Sequence, residues 1–168
     1  MYPAPNVNNA VVIFCVPKRD QPSKPRFVTD CHLKNLAICK KLTPLPNIDQ
    51  LIKSGAAYPV LSKIDLADGY YNIRVEESSG KWKNIITTCG KMGSRVMLCG
   101  DCNAPGTMMD AMLDICNDVE FQFLVIYIDD IIIDFRMYEE HVRDLKKLLL
   151  QLEEQKFDWK ESRCQFCT

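Results

Sequence analysis

The sequence contains no hydrophobic run that could cross a membrane, since its longest apolar stretches, residues 123–128 and 131–133, fall far short of about 20 residues. Its first ten residues lack the basic and apolar regions of a secretory signal, and the chain has no internal repeat or low-complexity tract. A strong net charge of one sign is also missing. The formal net charge is −1, which argues against a histone-like nucleic-acid binder. We therefore expect an intracellular globular protein, cytoplasmic or nuclear.

Cysteine is abundant, with nine among 168 residues, but disulfides are rare inside a cell. Two CxxC pairs, Cys99/Cys102 and Cys164/Cys167, have the internal spacing of zinc ligands. Because 61 residues lie between the pairs, more than the usual separation, we expect buried or incidental thiols instead of a zinc site.

The charges are unevenly distributed along the chain. Residues 1–41 carry a net charge of +5, and residues 42–168 carry −6. The sequence therefore predicts that one part of the molecule faces phosphates while another holds carboxylates.

The apolar spacing predicts alternating strands and helices. Strands are predicted at 10–16, 26–29, 58–64, 84–99, 121–128 and 131–133, and helices at 44–52, from 104 onward and at 138–155. Turns or loops are predicted at 17–25, 66–71 and 90–94. With 47% apolar residues, the chain can bury a core, and this order predicts one α+β domain with helices packed on an antiparallel sheet.

Two of the helices have recognisable apolar faces. Asn103 is expected to cap the helix that begins with Ala104 and Pro105. The residues expected to face the core are Met108, Met109, Met112, Leu113 and Cys116 in that helix, and Val142, Leu145, Leu148, Leu149 and Leu152 in the last helix.

Three aspartates carry the candidate chemistry. Asp129 and Asp130 lie at a predicted turn between apolar strands, where burial of both carboxylates would need a compensating cation. Asp65 ends another apolar strand, and if that strand lies beside the turn, the three carboxylates form an oxygen-rich site for Mg²⁺. Two such ions can promote in-line displacement by a primer 3′-hydroxyl. The alternative is a solvated turn, since aspartate is common in turns.

The segment YIDD, residues 127–130, resembles the YxDD motif of reverse transcriptases. LSKIDLADGYYNIRV, residues 61–75, resembles the segment of these enzymes that carries the first catalytic aspartate. Four further segments are similar, in order and spacing, to the polymerase of gypsy-type LTR retrotransposons: TPLPNIDQLIKSGAAYPVLSKIDL, NAP, EEH and ESRCQF. The resemblance covers about residues 9–166 and implies an RNA-directed DNA polymerase.

The resemblance also implies a domain plan. It identifies residues 9–168 as one fingers and palm domain, with fingers at about 9–57 and 75–102 and palm at about 58–74 and 103–168. Thumb, connection and ribonuclease H regions are expected to be absent. The implied partners are an RNA or DNA template with its primer, deoxynucleoside triphosphates, and other polyprotein domains or a second copy.

Residue roles follow from the same resemblance. Asp65 and Asp129 match the aspartates that bind two Mg²⁺ ions, for which Mn²⁺ can substitute, with Asp130 as the neighbouring acid and the Leu66 carbonyl as a further metal contact. The resemblance assigns the incoming nucleotide to four residues. Lys18 or Arg19, together with Arg26, would grip its triphosphate, and the ring of Tyr70 would exclude a ribose 2′-hydroxyl.

The chain departs from the family in several places. Residues 98–101 read LCGD where PFGL is usual, His32 replaces an arginine and Trp82 replaces a lysine. Two alternatives therefore stay open beside the polymerase: a catalytically degenerate module that serves as a binding or structural domain, and an RNA-dependent RNA polymerase. Tyr70 argues against the second, because that reaction must accept the 2′-hydroxyl.

Overall fold

A computed structural model describes residues 1–6, 8–18, 23–43, 47, 60–80, 82–117, 123–135 and 137–167. The chain divides into two compact units, one formed by residues 1–41 and 70–104 and the other by residues 42–69 and 105–168. Residues 70–74, predicted in the palm, belong to the first unit, and residues 42 and 43, predicted in the fingers, belong to the second. The fingers and palm division itself stays a prediction.

The first unit contains a five-stranded mixed sheet. Its strands are β1 (Tyr2–Pro3), β2 (Val11–Pro17), β3 (Pro25–Thr29), β5 (Asn84–Thr87) and β6 (Gly90–Gly93), in the order β1-β6-β5-β2-β3. β2 and β3 form an antiparallel hairpin, whereas β2 and β5 are parallel. The unit also contains α1 (His32–Ala37) and the single turn α2 (Glu77–Gly80).

The second unit is built on a three-stranded antiparallel sheet. Its strands are β4 (Val60–Asp65), β7 (Phe123–Tyr127) and β8 (Asp130–Phe135), in the order β4-β8-β7. Two long helices complete it: α3 (Ala104–Cys116), which belongs to this unit from Pro105 onward, and α4 (Tyr138–Glu154). A short 3₁₀ helix, Glu161–Arg163, follows.

The core of the second unit follows from the spacing of its apolar residues, which recur at every second position in the strands and at every third or fourth position in the helices. Alternate residues of β4 and β8 are fully buried, as are the methionines and leucines at helical spacing in α3 and α4. These buried side chains include Ile64, Ile131, Ile133, Met108, Met112, Leu148 and Leu152. The α+β class predicted from the sequence is confirmed.

Several details of the sequence prediction are wrong. Leu113 is 52% exposed and does not belong to the core face of α3. The Asn103 side chain does not cap that helix; it accepts a hydrogen bond from the Lys41 amide and donates one to the Cys39 carbonyl. It thereby ties the helix start to the chain segment that follows α1.

Two turns begin earlier in the chain than the sequence predicted: the turn predicted to begin at residue 90 begins two residues earlier, and the turn predicted at Asp129 and Asp130 begins one residue earlier. Residues 90–93 form strand β6, and the turn lies at Thr88–Cys89, where the Thr87 hydroxyl donates to the Gly90 carbonyl and accepts from the Cys89 amide. Residues Ile128 and Asp129 form the second turn, and Asp130 already begins β8. The predicted helix at 44–52 lies outside the described residues, apart from Asn47.

No helix among the described residues is long and apolar enough to cross a membrane. The nine cysteines are free thiols, of which only Cys31 and Cys116 are buried. Within the described ranges, no group of three or more His, Cys, Asp or Glu side chains is placed to hold a metal ion. The two CxxC pairs therefore form no such group.

Candidate active site at the end of the second-unit sheet

The three aspartates singled out from the sequence lie at one end of the β4-β8-β7 sheet. Asp65 is the last residue of β4 and is the register partner of Asp130, the first residue of β8. Asp129 lies in the two-residue turn that joins β7 to β8. The strand end and the hairpin therefore meet as the sequence pattern predicted.

Asp65 and Asp130 lie on the same face of this sheet. Directly opposite residues of antiparallel strands share a face, with Cβ atoms about 5 Å apart. The other face carries Ser62 and Ile64, which are fully buried. Two like charges directly opposite each other destabilise a strand pair, so this arrangement needs compensating charge.

The turn that carries Asp129 is strained. Ile128 has a φ of +57°, which is rare for a β-branched residue and costs about 1–3 kcal/mol. Its amide donates to the Met109 sulfur of α3 at 3.3 Å, and the Asp129 carbonyl accepts from the Leu66 amide at 2.9 Å. These contacts fix Asp129 next to the residue that follows Asp65.

Gly69 provides space beside Asp129. A Cβ atom at Gly69 would lie 3.1 Å from the Asp129 Cβ, which is tighter than nine in ten Cβ contacts in proteins. The loop after β4 therefore approaches the Asp129 side chain as closely as a glycine allows.

The outer edge of β4 is covered by residues 158–167. Lys63 exchanges backbone hydrogen bonds with Gln165, and the Asp65 carbonyl accepts from the Lys160 amide at 2.9 Å. The Ala67 amide donates to the Asp158 carbonyl at 2.7 Å. This segment pairs like an additional strand, so the backbone of Asp65 is held by β8 on one side and by residues 158–167 on the other.

A buried polar contact supports the opposite face of β4. The Ser62 hydroxyl lies 2.5 Å from Nε2 of His141 in α4 and accepts a hydrogen bond from the Cys167 amide. Burial lowers the pKa of His141 below its ordinary value, although the nearby Asp144 partly opposes this effect. The Ser62 hydroxyl therefore links β4 to His141 of α4 and to the Cys167 backbone.

Two cations compensate the carboxylates. Lys63 Nζ lies 2.9 Å from an Asp130 oxygen, and Arg163 Nη1 lies 3.9 Å from an Asp65 oxygen. Asp129 is exposed and Asp130 only partly buried, so the expected burial of this adjacent pair is not observed. Neither cation was singled out from the sequence, although Lys63 shares the strand face of Asp65 at a spacing of two residues.

The oxygen atoms at this sheet end have the chemistry that Mg²⁺ prefers, although, among the described side chains, the three carboxylates do not form a group placed to hold a metal ion. Hard divalent cations prefer oxygen ligands, and Asp65 and Asp129 offer carboxylates beside the Leu66 backbone. The backbone hydrogen bonds to residues 158–167 use the Asp65 carbonyl and the Ala67 amide. The Leu66 carbonyl takes no part in this pairing. Asp130 is held by Lys63, so its assignment as a metal ligand stays a prediction.

The nucleotide-binding residues predicted from the sequence lie in the first unit. Arg26 is exposed on β3 opposite Val16, and Lys18 directly follows β2. Tyr70 lies in the 3₁₀ helix Gly69–Asn72, whose Tyr71 hydroxyl donates to the Phe27 carbonyl of β3 at 2.9 Å. Arg19 lies outside the described residues, and the roles of all four stay predictions.

The unusual stretch at 98–101 forms a buried ion cluster in the first unit. The Asp101 carboxylate accepts from Lys34 at 3.1 Å and from Lys83, and it also accepts from the Asn103 amide. Burial alone would raise the pKa of Asp101, but the Lys83 hydrogen bond, the Lys34 charge and the Asn103 amide outweigh it and lower that pKa. Asp101 is therefore a satisfied structural carboxylate.

Solved structures share this fold. The foamy viral protease-reverse transcriptase in complex with double-stranded DNA superposes with a TM-score of 0.87 at 18% identity, covering 97% of this chain and 28% of that one. The same viral protein in complex with an RNA/DNA hybrid gives a TM-score of 0.83 at 18% identity, covering 95% and 21%. The chain therefore has the fingers and palm fold of a polymerase.

Sequence comparison gives the family. Residues 16–168 match the family described as reverse transcriptase (RNA-dependent DNA polymerase). The chain belongs to this family. The Transposon Tf2-3 and Tf2-7 polyproteins of Schizosaccharomyces pombe (strain 972 / ATCC 24843) are each 28% identical to it over 160 residues, covering 94% of this chain and 12% of theirs. The chain thus spans about an eighth of the length of these curated relatives.

Proposed function

We propose that this chain is the catalytic core of an RNA-directed DNA polymerase from a gypsy-type LTR retrotransposon polyprotein. The observation that carries the proposal is the meeting of Asp65, Asp129 and Asp130 at one sheet end in a member of the reverse transcriptase family. Residues 127–130 would be its YxDD motif.

Asp65 and Asp129 would hold the divalent ions, with the Leu66 carbonyl as a further ligand. A divalent ion held there, Mg²⁺ or Mn²⁺, would supply the positive charge that favours ionisation of a primer 3′-hydroxyl and neutralises a leaving pyrophosphate. The protein positions these groups: the Leu66 amide bond to Asp129 and the strand edge formed by residues 158–167 keep the two carboxylates in register. Such positioning is the main contribution of a protein to phosphoryl transfer.

Lys18, Arg19 and Arg26 would bind the triphosphate of the incoming nucleotide, because arginine and lysine pair well with phosphate oxygens. Tyr70 would stack against the sugar and block a 2′-hydroxyl, so that the product is DNA. The substrates would be a primed RNA or DNA template and deoxynucleoside triphosphates, handled inside the cell, in a cytoplasmic particle or in the nucleus. The remaining polyprotein domains or a second copy would be the protein partners.

Primer extension tests this proposal. The chain is assayed on a primed RNA template with Mg²⁺, alone and extended by a thumb region, since phosphate contacts along the duplex supply most of the affinity. We expect weak or undetectable extension by residues 1–168 alone and slow, distributive synthesis when the thumb is present. Tyr70→Ala in the extended protein should admit ribonucleotides, and Tyr70→Phe serves as its control.

A second candidate is a catalytically degenerate module that binds nucleic acid or protein without turnover. The observation that favours it is the Asp101 cluster, because an ion triad with Lys34 and Lys83 occupies the stretch where PFGL is usual in the family. Absence of synthesis by the thumb-extended protein, together with retained folding, would support this candidate over the polymerase.

A further inference from the structure

The β2-β3 hairpin of the first unit extends beyond the rest of its sheet. β2 pairs with β5 at Val11 and Val12, whereas its pairing with β3 begins at Ile13 and continues to Pro17. Among the described strands, residues 13–17 and 25–29 therefore form a two-stranded ribbon. A ribbon of two strands is at best marginally stable in water by itself, so this one needs support from outside the hairpin.

Side-chain packing gives the ribbon little of this support. Phe14, Val16 and Phe27 are all apolar, yet all three are exposed. The inner end is better held, because Thr29 is buried and both its amide and its hydroxyl donate to the Cys99 carbonyl. The ribbon is therefore anchored at Thr29 and packs weakly further out.

A hydrogen bond reaches the middle of the ribbon. The Tyr71 hydroxyl donates to the Phe27 carbonyl at 2.9 Å, and Phe27 is both the register partner of Cys15 and the neighbour of Arg26. Tyr71 follows Tyr70 in the same 3₁₀ helix, and both belong to the first unit, as the ribbon does. This bond thus ties the helix that carries Tyr70 to the strand that carries Arg26.

Such a tie lowers the cost of binding a phosphate group. A guanidinium on a weakly supported ribbon must be ordered when its ligand binds, and this ordering subtracts from the affinity. A hydrogen bond one residue away restricts the ribbon beforehand, and one hydrogen bond is enough to shift an equilibrium several-fold. The Tyr71 hydroxyl therefore favours the arrangement in which Arg26 is already in place.

We propose that Tyr71 is a positioning residue for the incoming nucleotide: its hydroxyl holds the ribbon so that Arg26 meets the triphosphate without prior ordering. Tyr71 then acts through Arg26. The inference rests on the nucleotide-binding roles of the proposed function and adds what keeps Arg26 in position.

Single-nucleotide incorporation by the thumb-extended protein measures KM and kcat for the deoxynucleoside triphosphate. Tyr71→Phe removes the hydroxyl and keeps the ring, so KM should rise about fivefold while kcat changes less than about twofold. Tyr138→Phe is the matched control, because it removes an exposed hydroxyl from α4. It should leave both constants unchanged within about twofold.

A double-mutant cycle tests whether Tyr71 acts through Arg26. Arg26→Gln alone should raise KM at least as much as Tyr71→Phe does. Adding Tyr71→Phe to Arg26→Gln should raise KM less than about twofold further, because the group that Tyr71 positions is already gone. A larger further rise, or an unchanged KM in Tyr71→Phe alone, would show that the positioning role is wrong while the proposed function stands. If the original protein incorporates no nucleotide, the proposed function is overturned and this inference with it.

Hydrogen exchange of the chain without nucleotide gives a readout that does not depend on activity. Tyr71→Phe should speed the exchange of amides in residues 13–17 and 25–29 several-fold, because the ribbon opens more often without its outer support. Tyr138→Phe should leave this exchange unchanged. Equal exchange in Tyr71→Phe and the original chain would show that the hydroxyl does not hold the ribbon, which overturns the inference.

Discussion

The Asp101 cluster provides a quantitative test of how this chain accommodates its unusual 98–101 stretch. The Asp101 side chain is 4% exposed, and its partners Lys34 and Lys83 are 16% and 17% exposed. Removing one member of a buried ion cluster costs about 3–5 kcal/mol, because the remaining charges stay desolvated. Both lysines keep some access to water, so we expect Asp101→Asn to lower the free energy of unfolding by about 3 kcal/mol.

Asp144 is the matched control. Its carboxylate is also buried, but its partners Arg143 and Lys147 are 63% and 57% exposed. Asp144→Asn should cost about 1 kcal/mol or less, since exposed cations return to water. Urea denaturation at pH 7 measures the loss of unfolding free energy in both variants, and thermal unfolding should show a drop in Tm of roughly 6–12 °C for Asp101→Asn. Equal losses for the two variants would refute the reasoning.

The pH dependence of the same variant has a definite sign. The pKa of Asp101 is lowered in the folded chain from an ordinary value of 3.8. A lowered carboxyl pKa gives stability that is present above the unfolded pKa and is lost as the pH falls through the folded value. The difference in unfolding free energy between the original chain and Asp101→Asn should therefore be constant near neutral pH and shrink below about pH 4.

Three further predictions concern single side chains. Gly69→Ala should weaken Mn²⁺ binding several-fold in calorimetry, because its Cβ would displace the Asp129 side chain, and unchanged binding would exclude this contact. Ser62→Ala should lower the free energy of unfolding in urea by about 1–3 kcal/mol, because the buried His141 and the Cys167 amide lose their partner, and a loss under about 0.5 kcal/mol would contradict this. Burial raises the pKa of Cys116 to about 12, so mass spectrometry after native alkylation should find Cys116 unmodified while the exposed Cys15, Cys39 and Cys89 react, and early labelling of Cys116 would contradict its burial.

The meeting of the aspartates could be predicted from local pattern. An apolar strand ending in Asp65 and two apolar runs flanking Asp129 predict a strand beside a hairpin. The register that pairs Asp65 with Asp130 is given only by the structure, because alternation fixes the face of a residue and leaves shifts of two residues open. The exact turn could not be predicted. Ile128 continues a β-branched run, and only tertiary contacts, such as that of its amide with Met109, hold it at a positive φ.

The charge partners could not be predicted for a different reason. Lys34 lies 67 residues from Asp101, and no periodicity links positions that far apart. Arg163 reaches Asp65 only because residues 158–167 pair with the edge of β4. Without these partners, the sequence suggested a metal as the simplest compensation for the carboxylates, whereas the fold itself supplies two cations.

Metal-dependent incorporation of a single deoxynucleotide tests the polymerase proposal most directly. The thumb-extended protein is mixed with a primed RNA template, Mg²⁺ and one complementary deoxynucleoside triphosphate, beside its Asp65→Asn and Asp129→Asn variants and a Glu153→Gln control on α4. We expect incorporation by the original protein and the control, and a loss of at least about a hundredfold in both aspartate variants. Incorporation that survives in either aspartate variant, or that none of the four proteins shows, would contradict the assignment of Asp65 and Asp129 as the catalytic pair.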